Sequence, residues 1–200
     1  MEKEFYYTID KPATAEFKDR GSRFIAEAVP LASKDDFKKQ MTLIKAAHPK
    51  ATHYCFAYRL GLDGNHFRSG DDGEPSGTAG KPILGQIDSK ELTNILIVVV
   101  RYFGGSLLGV PGLINAYKTA ASLALQTTPV IQKQVEISYQ LQFDYTIVND
   151  IMQIIKQYNC SIIRQEMQLF CTIDIGIPVN RTAAVLNRLQ ETRNVEIKKI

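Results

Sequence analysis

Charge of one sign is scarce in this 200-residue chain: 24 Lys and Arg stand against 21 Asp and Glu, a net of +3. Composition therefore declares no concentrated basic face, the usual footprint of nucleic-acid binding, and no DNA specificity is expected. From Gln134 onward seven basic residues balance seven acidic ones, so the whole excess lies in the first 133 residues, where any polyanion would be met first. Long apolar runs are also missing. The longest, Ile95-Leu-Ile-Val-Val-Val100, falls far below the ~18 residues of a membrane span, and no charged start followed by an apolar stretch opens the chain. The expectation is a soluble, cytoplasmic protein without a membrane partner. Cysteine is sparse and odd in number: Cys55, Cys160 and Cys171 form no Cys-x-x-Cys pair, which argues against a disulfide framework or a sulfur-rich zinc site and for buried free thiols.

Motifs that would name a reaction are absent as well. A Walker A loop fails because Pro75 stands where its first glycine belongs and Pro82 follows Lys81. Gly-x-Gly-x-x-Gly cannot be drawn through Gly104, Gly105, Gly109 and Gly112, so a dinucleotide fold has no support. No Ser-His-Asp set is evident. His53 and Cys55, two apart on an expected strand, share a face and read either as a thiol–imidazole pair or as a partly buried strand pair.

What the chain does have is glycine in one place: eleven of its thirteen fall between Gly61 and Gly112. Such clustering signals tight turns or close approach of backbone to a ligand or another segment. Within it, Asp71, Asp72 and Glu74 are three carboxylates in four residues, a set that suits Mg²⁺ through oxygen or else a solvated turn; the EF-hand spacing is absent, and no other cofactor is suggested. Ser76-Gly77-Thr78-Ala79-Gly80 either offers free backbone amides to an anion, with Lys81 as countercharge, or is a helix start capped by Ser76. Amides at a helix beginning at Gly112, after Gly104 and Gly105, are a second candidate cradle, with Arg101 on the preceding strand and Arg68 before the acidic loop. Tyr54, Phe56, Tyr58, Tyr102 and Phe103 lie on expected strands, as core or as a base-stacking surface.

Periodicity predicts an α+β protein of two domains, residues 1–130 and 131–200, joined near Thr127-Thr-Pro129. In the first, strands are expected at Phe5–Ile9, Arg23–Pro30, His53–Leu60 and Asn94–Phe103. Helices are expected from Ser33, whose hydroxyl would cap toward Asp36, to His48, and over Gly112–Gln126. The continuously apolar Asn94–Phe103 reads as a buried central strand. In the second, alternation over Val135–Phe143, a helical Ile147-Ile151-Ile154-Ile155-Tyr158 series, strands at Cys160–Met167 and Leu169–Ile177, a helix capped by Asn180 and a last strand Val195–Ile200 give β-α-β-β-α-β, the order of a ferredoxin-like domain. No internal repeat appears.

At Gly70-Asp-Asp-Gly-Glu-Pro-Ser-Gly-Thr-Ala-Gly-Lys-Pro82 and Val100-Arg-Tyr-Phe-Gly-Gly-Ser-Leu-Leu-Gly109 the chain resembles the IMPACT/YigZ family, supported by Ser22-Arg-Phe-Ile25 and His53-Tyr-Cys55. Pro111, which has no N–H, stands where that pattern has a second small glycine beside Gly112. The resemblance covers roughly residues 1–130. It implies a first domain with the βαβ-type fold shared by a small-subunit ribosomal protein domain and domain IV of elongation factor G, and a second domain like that factor's domain V. It also implies a role in translation control, exerted in eukaryotic relatives through the activator of a starvation-responsive initiation-factor kinase. The expectation drawn from residues and resemblance together is a non-enzymatic translation-associated regulator that binds RNA or a ribosomal surface through Arg68, Lys81, Arg101 and the loop amides. The alternatives are a metal-dependent enzyme or binder of a phosphorylated small molecule, and a protein-interaction module without nucleic acid.

Overall fold

The computed structural model describes residues 3–200. Contact density divides them into two compact units, Tyr6–Lys133 and the described residues up to Phe5 together with Gln134–Ile200. Residues 1 and 2, included in the expected first domain, lie outside the described residues.

The larger unit is built on a five-stranded antiparallel sheet of order β2-β3-β6-β4-β5. Its strands are β2 (Ala13–Asp19), β3 (Ser22–Pro30), β4 (His53–Leu60), β5 (His66–Gly70) and β6 (Ile95–Tyr102). The order explains why β6 reads as one apolar run: it is the central strand, and helices cover both faces. Ile95, Ile97 and Val99 pack with α2 (Gly80–Ser89) and α3 (Gly109–Gln126), while Leu96, Val98 and Val100 pack on the side of α1 (Lys34–Ala47). β1 (Phe5–Ile9) pairs apart from this sheet with β7 (Val130–Gln134), so the expected junction at Thr127–Pro129 runs from the end of α3 directly into a strand. Periodicity missed β2, β5 and β7. β2 alternates Ala-Thr-Ala-Glu-Phe-Lys-Asp with small apolar residues, and β5 is an exposed edge of polar character, so neither carries a strong strand signal.

Ser33 caps α1, its hydroxyl accepting from the Asp36 N–H at 3.1 Å, as its position before an acidic first turn predicts. The other expected caps need correction. Ser76 does not cap α2, whose N-cap is Ala79. Asn180 does not cap the last helix either: it lies in a single 3₁₀ turn, Val179–Arg181, and its amide donates to Glu4 Oε2 at 3.1 Å.

The smaller unit follows β8 (Glu136–Asp144), α4 (Val148–Gln157), β9 (Ser161–Glu166), β10 (Phe170–Pro178), α5 (Thr182–Glu191) and β11 (Val195–Lys199), in the β-α-β-β-α-β order that periodicity gives, with sheet order β11-β8-β10-β9. Leu141, Phe143, Ile173 and Ile175 face Ile151, Ile154, Val185 and Leu189 of the two helices. The opposite sheet face carries Gln140, Gln142, Thr172, Asp174, Glu196 and Lys198, two acids against one base and no aromatic ring among these six.

Candidate functional site

One end of the five-stranded sheet gathers both glycine segments. The first, Asp71–Ala79, leads from β5 into α2; the second, Phe103–Leu108, leads from β6 into α3. The hairpin between β2 and β3 meets the second loop. Gly104 is seated against Gly21, where a Cβ on Gly104 would lie 1.9 Å from the Gly21 carbonyl carbon, so only two glycines permit this approach.

The carboxylates of the first loop turn inward, each to a different partner. Asp71 accepts from three backbone N–H groups, Gly77 at 2.9 Å, Ala79 at 3.1 Å and Gly80 at 2.8 Å. It thus occupies the amide cradle at the start of α2 that an external anion was expected to fill. Burial works to raise the Asp71 carboxyl, but these N–H bonds, with Lys81 adding charge, outweigh it and hold the group below its ordinary value. Asp72 accepts from the Tyr54 N–H at 2.7 Å, and its own carbonyl accepts a hydrogen bond from His53 Nδ1 at 2.7 Å. Glu74 reaches into the unit and accepts at one oxygen from Arg101 Nη1 and from the Tyr117 hydroxyl, both at 2.6 Å. Three carboxylates adjacent in sequence therefore diverge in space. Among the described residues no group of three His, Cys, Asp or Glu converges as a metal site, so the expected Asp71-Asp72-Glu74 set has no common point for a cation.

Arg101 is likewise not a free cation. Its side chain is 6% exposed and that of Glu74 4%, which makes the two a buried ion pair, and the guanidinium lies between the rings of Phe24 and Phe103 at 5.3 and 5.5 Å. Tyr117 donates to Glu74 from full burial, and desolvation keeps its hydroxyl protonated far above the ordinary range. Among the buried side-chain nitrogens and oxygens of the described residues, Arg101 Nε is left without a partner. His53 Nε2 stands 3.9 Å from Glu74. Because a carbonyl can only accept, the bond to Asp72 assigns the proton to His53 Nδ1 and leaves Nε2 facing Glu74.

His53 and Cys55 do not form a nucleophilic pair. The Cys55 thiol is buried, sits 2.9 Å from the Asp71 carbonyl and is pushed up to about 12, first by desolvation. Thr78 is also turned inward, its hydroxyl donating to the Pro75 carbonyl at 2.7 Å. Ser76 is exposed, Gly105 has a positive φ of 87° with open space beside it, and Gly112 packs on Leu108 within the first turns of α3, which begins at Gly109. Lys81 is exposed on the first turn of α2. Arg68 is exposed but lies over the Phe56 ring, on the α1 side of the sheet, and so does not join the loops. Tyr54, Phe56, Tyr58 and Tyr102 pack in that same α1 cluster and form core, leaving Phe103 as the exposed ring of the five.

Sequence reasoning missed Ser22, Arg20 and Tyr117. The Ser22 hydroxyl accepts from the Gly104 N–H at 3.1 Å, and Arg20, exposed at the hairpin tip, reaches the Leu107 carbonyl at 3.5 Å. The available signals were a turn-forming Arg-Gly before a strand and, for Ser22, its place in the Ser22-Arg-Phe-Ile25 stretch that carries the family resemblance.

Between the two loops lies a cleft of about 370 Å³. His53, Glu74 and Arg101 line it on one side, with walls that include Phe103, Leu107 and Val110.

Comparison with known proteins agrees with the loop pattern. Residues 20–125 match the Impact N-terminal domain. The chain belongs to the IMPACT family. The IMPACT family member YigZ of Escherichia coli K12 is 33% identical over 182 residues, which span 90% of this chain and 89% of YigZ. A crystal structure of a hypothetical protein superposes on all of this chain and 98% of its own with a TM-score of 0.76 at 30% identity. Yih1, a two-domain translational regulator, aligns with 61% of this IMPACT-family chain and 47% of its own at 30% identity, with a TM-score of 0.38, too loose a superposition to define shared geometry.

Proposed function

We propose that this IMPACT-family protein is a non-enzymatic, cytoplasmic regulator associated with translation that works by binding RNA or a ribosomal surface. In this reading the Tyr6–Lys133 unit carries the ribosomal-protein and elongation-factor-G domain IV type of fold, and the other unit is ferredoxin-like, as domain V is. The observation that carries the reading is the inward commitment of the loop chemistry. Asp71, Asp72, Glu74 and Arg101 each hold backbone or one another, so they brace two loops instead of presenting a reactive set. The exposed cations beside the braced loops are Lys81 and Arg20. Long cationic side chains on a fixed scaffold suit phosphate contact, which positions a partner without reading its sequence.

Co-sedimentation with ribosomes on sucrose gradients at low and raised salt tests this. Migration with a subunit, weakened by salt, is the expected result, and Lys81→Glu with Arg20→Glu should abolish it while Arg68→Glu, on the other side of the sheet, should not. Protein that remains at the top of the gradient at both salt concentrations would overturn the reading. Exposed Phe103, Leu107, Val110 and Ile114 favour a protein-interaction module as the second reading. Capture of a partner that survives nuclease treatment would select it.

A further inference from the structure

The sheet of the smaller unit has two outer strands, β11 and β9, and their free edges are built differently. β11 ends in Lys198 and Lys199, both exposed, the kind of charged edge that discourages strand addition. β9 carries no lysine or proline and instead exposes Ile162 at 40%, Ile163 at 58% and, one residue past its end, Met167 at 39%. Among the described residues β10 is its one sheet neighbour, so along its other side alternate N–H and C=O groups have no strand partner. Arg164 faces Asp174 and Ile162 faces Ile175 on β10, which makes Ile163 the extra residue of a bulge. The regular part of the edge is therefore residues 164–166.

This short segment complements a second copy of itself. In an antiparallel pair, facing residues both turn their backbone groups toward the partner strand or both turn them away, and that direction alternates along the strand. A two-fold axis therefore passes through a residue and not between two. With the axis at Ile163, Ile162 would face Arg164; with the axis at Arg164 or Glu166, like charges would face each other. With the axis at Gln165, Arg164 faces Glu166 of the second copy, Glu166 faces Arg164 of the second copy, and Ile163 lies toward Met167. Of these registers, that one alone sets unlike charges opposite one another and apolar residues together. Arg164 and Glu166 share one face of the strand and already pair within the chain, at 69% and 54% side-chain exposure, where a lone ion pair contributes little. Two copies bring four charges of alternating sign onto that face, each acid beside two bases.

We propose that β9 is a self-association edge: two copies of this chain pair antiparallel through residues 164–166, with Gln165 on the two-fold axis and Arg164 against Glu166 across it. The lysines of β11 make the opposite edge unsuited to further addition, so the assembly closes at two copies. A ladder this short falls below the area of a permanent dimer, which places the pair in the weak, concentration-dependent class. β9 holds neither Lys81 nor Arg20, and the inference is independent of the phosphate contacts proposed above.

Sedimentation velocity of the full chain from micromolar to near-millimolar concentration tests this. The expected result is a monomer–dimer equilibrium that salt weakens. Arg164→Glu and Glu166→Arg each set like charges across the axis twice and should weaken association by about tenfold or more, with melting curves showing that each variant is folded. An equimolar mixture of the two variants restores unlike pairs, as does the double variant, and both should recover the dimer. Gln165→Cys gives a second readout that does not depend on the charge variants. Facing Cα atoms in an antiparallel pair stand about 4.5–5.5 Å apart, within disulfide reach, so mild oxidation should cross-link this variant. Wild type, whose free cysteines are two buried and one half-buried, is the control and should stay unlinked. A monomer at every concentration, a dimer that the charge variants leave unchanged or that their mixture fails to restore, or no cross-link at position 165 would overturn the proposal.

Discussion

Replacing Asp71 with alanine removes one acceptor that serves three backbone donors. An N-cap lost to alanine costs about 1 kcal/mol, and a hydrogen bond to a charged group contributes roughly 1.5–3 kcal/mol. Full addition overstates the loss, because Gly77 is only half-buried and water can replace its partner. Ala79 and Gly80 are buried, so their N–H groups would be stranded. The expected destabilisation is about 3 kcal/mol for Asp71→Ala and about half that for Asp71→Asn, which keeps one acceptor oxygen but no charge. Urea unfolding followed by circular dichroism gives the total. Amide exchange localises it, with protection at Gly77, Ala79 and Gly80 falling on the order of a hundredfold in the alanine variant. The acid limb adds an independent readout. The folded carboxyl is depressed below its ordinary value near 3.8, so its stabilisation is present above that value and is lost as pH falls through the lower folded pKa. Wild type should therefore lose stability more steeply than Asp71→Asn below about pH 4. An alanine variant within 0.5 kcal/mol of wild type, or parallel acid profiles for wild type and Asp71→Asn, would refute the assignment of this carboxylate as the internal occupant of the cradle.

Glu74→Ala should cost about 3–5 kcal/mol because it strands the Arg101 charge in the interior, whereas Glu74→Gln should cost less, and chemical denaturation measures both. Gly104→Ala should destabilise by more than about 2 kcal/mol, since its methyl would meet the Gly21 backbone rather than a side chain able to swing away; a Tm unchanged from wild type would contradict this. Cys55, buried and pushed up to about 12, should resist iodoacetamide at pH 8 in the folded protein and react once unfolded in urea, which mass spectrometry of the alkylated peptide reports.

Periodicity alone determined most of the elements. The alternation in β8 and the helical spacing of Ile147 to Tyr158 are local patterns, and each dictates which face is buried regardless of what covers it. The unbroken run Ile95–Val100 announced a strand buried on both sides, and Ser33 its own helix, for the same reason: the signal and its cause lie within a few residues. β2 and β5 escaped because small or polar residues on outer strands acquire their role from a neighbour, not from their own pattern.

The loops divide along the same line. Their glycines marked the place, because tight backbone geometry is written in residue type. The direction of each side chain was not, since Asp71, Asp72 and Glu74 are near neighbours along the chain whose partners lie 6 to 43 residues further on or, for Asp72, 18 residues back. Local sequence offered three carboxylates for one cation and two arginines and a lysine for one anion. Only the tertiary structure decided that Asp71 closes the amide cradle from inside, that Glu74 neutralises Arg101, and that Arg68 stands on the far side of the sheet, because a buried charge is settled by whichever opposite group the fold brings within a hydrogen bond of it.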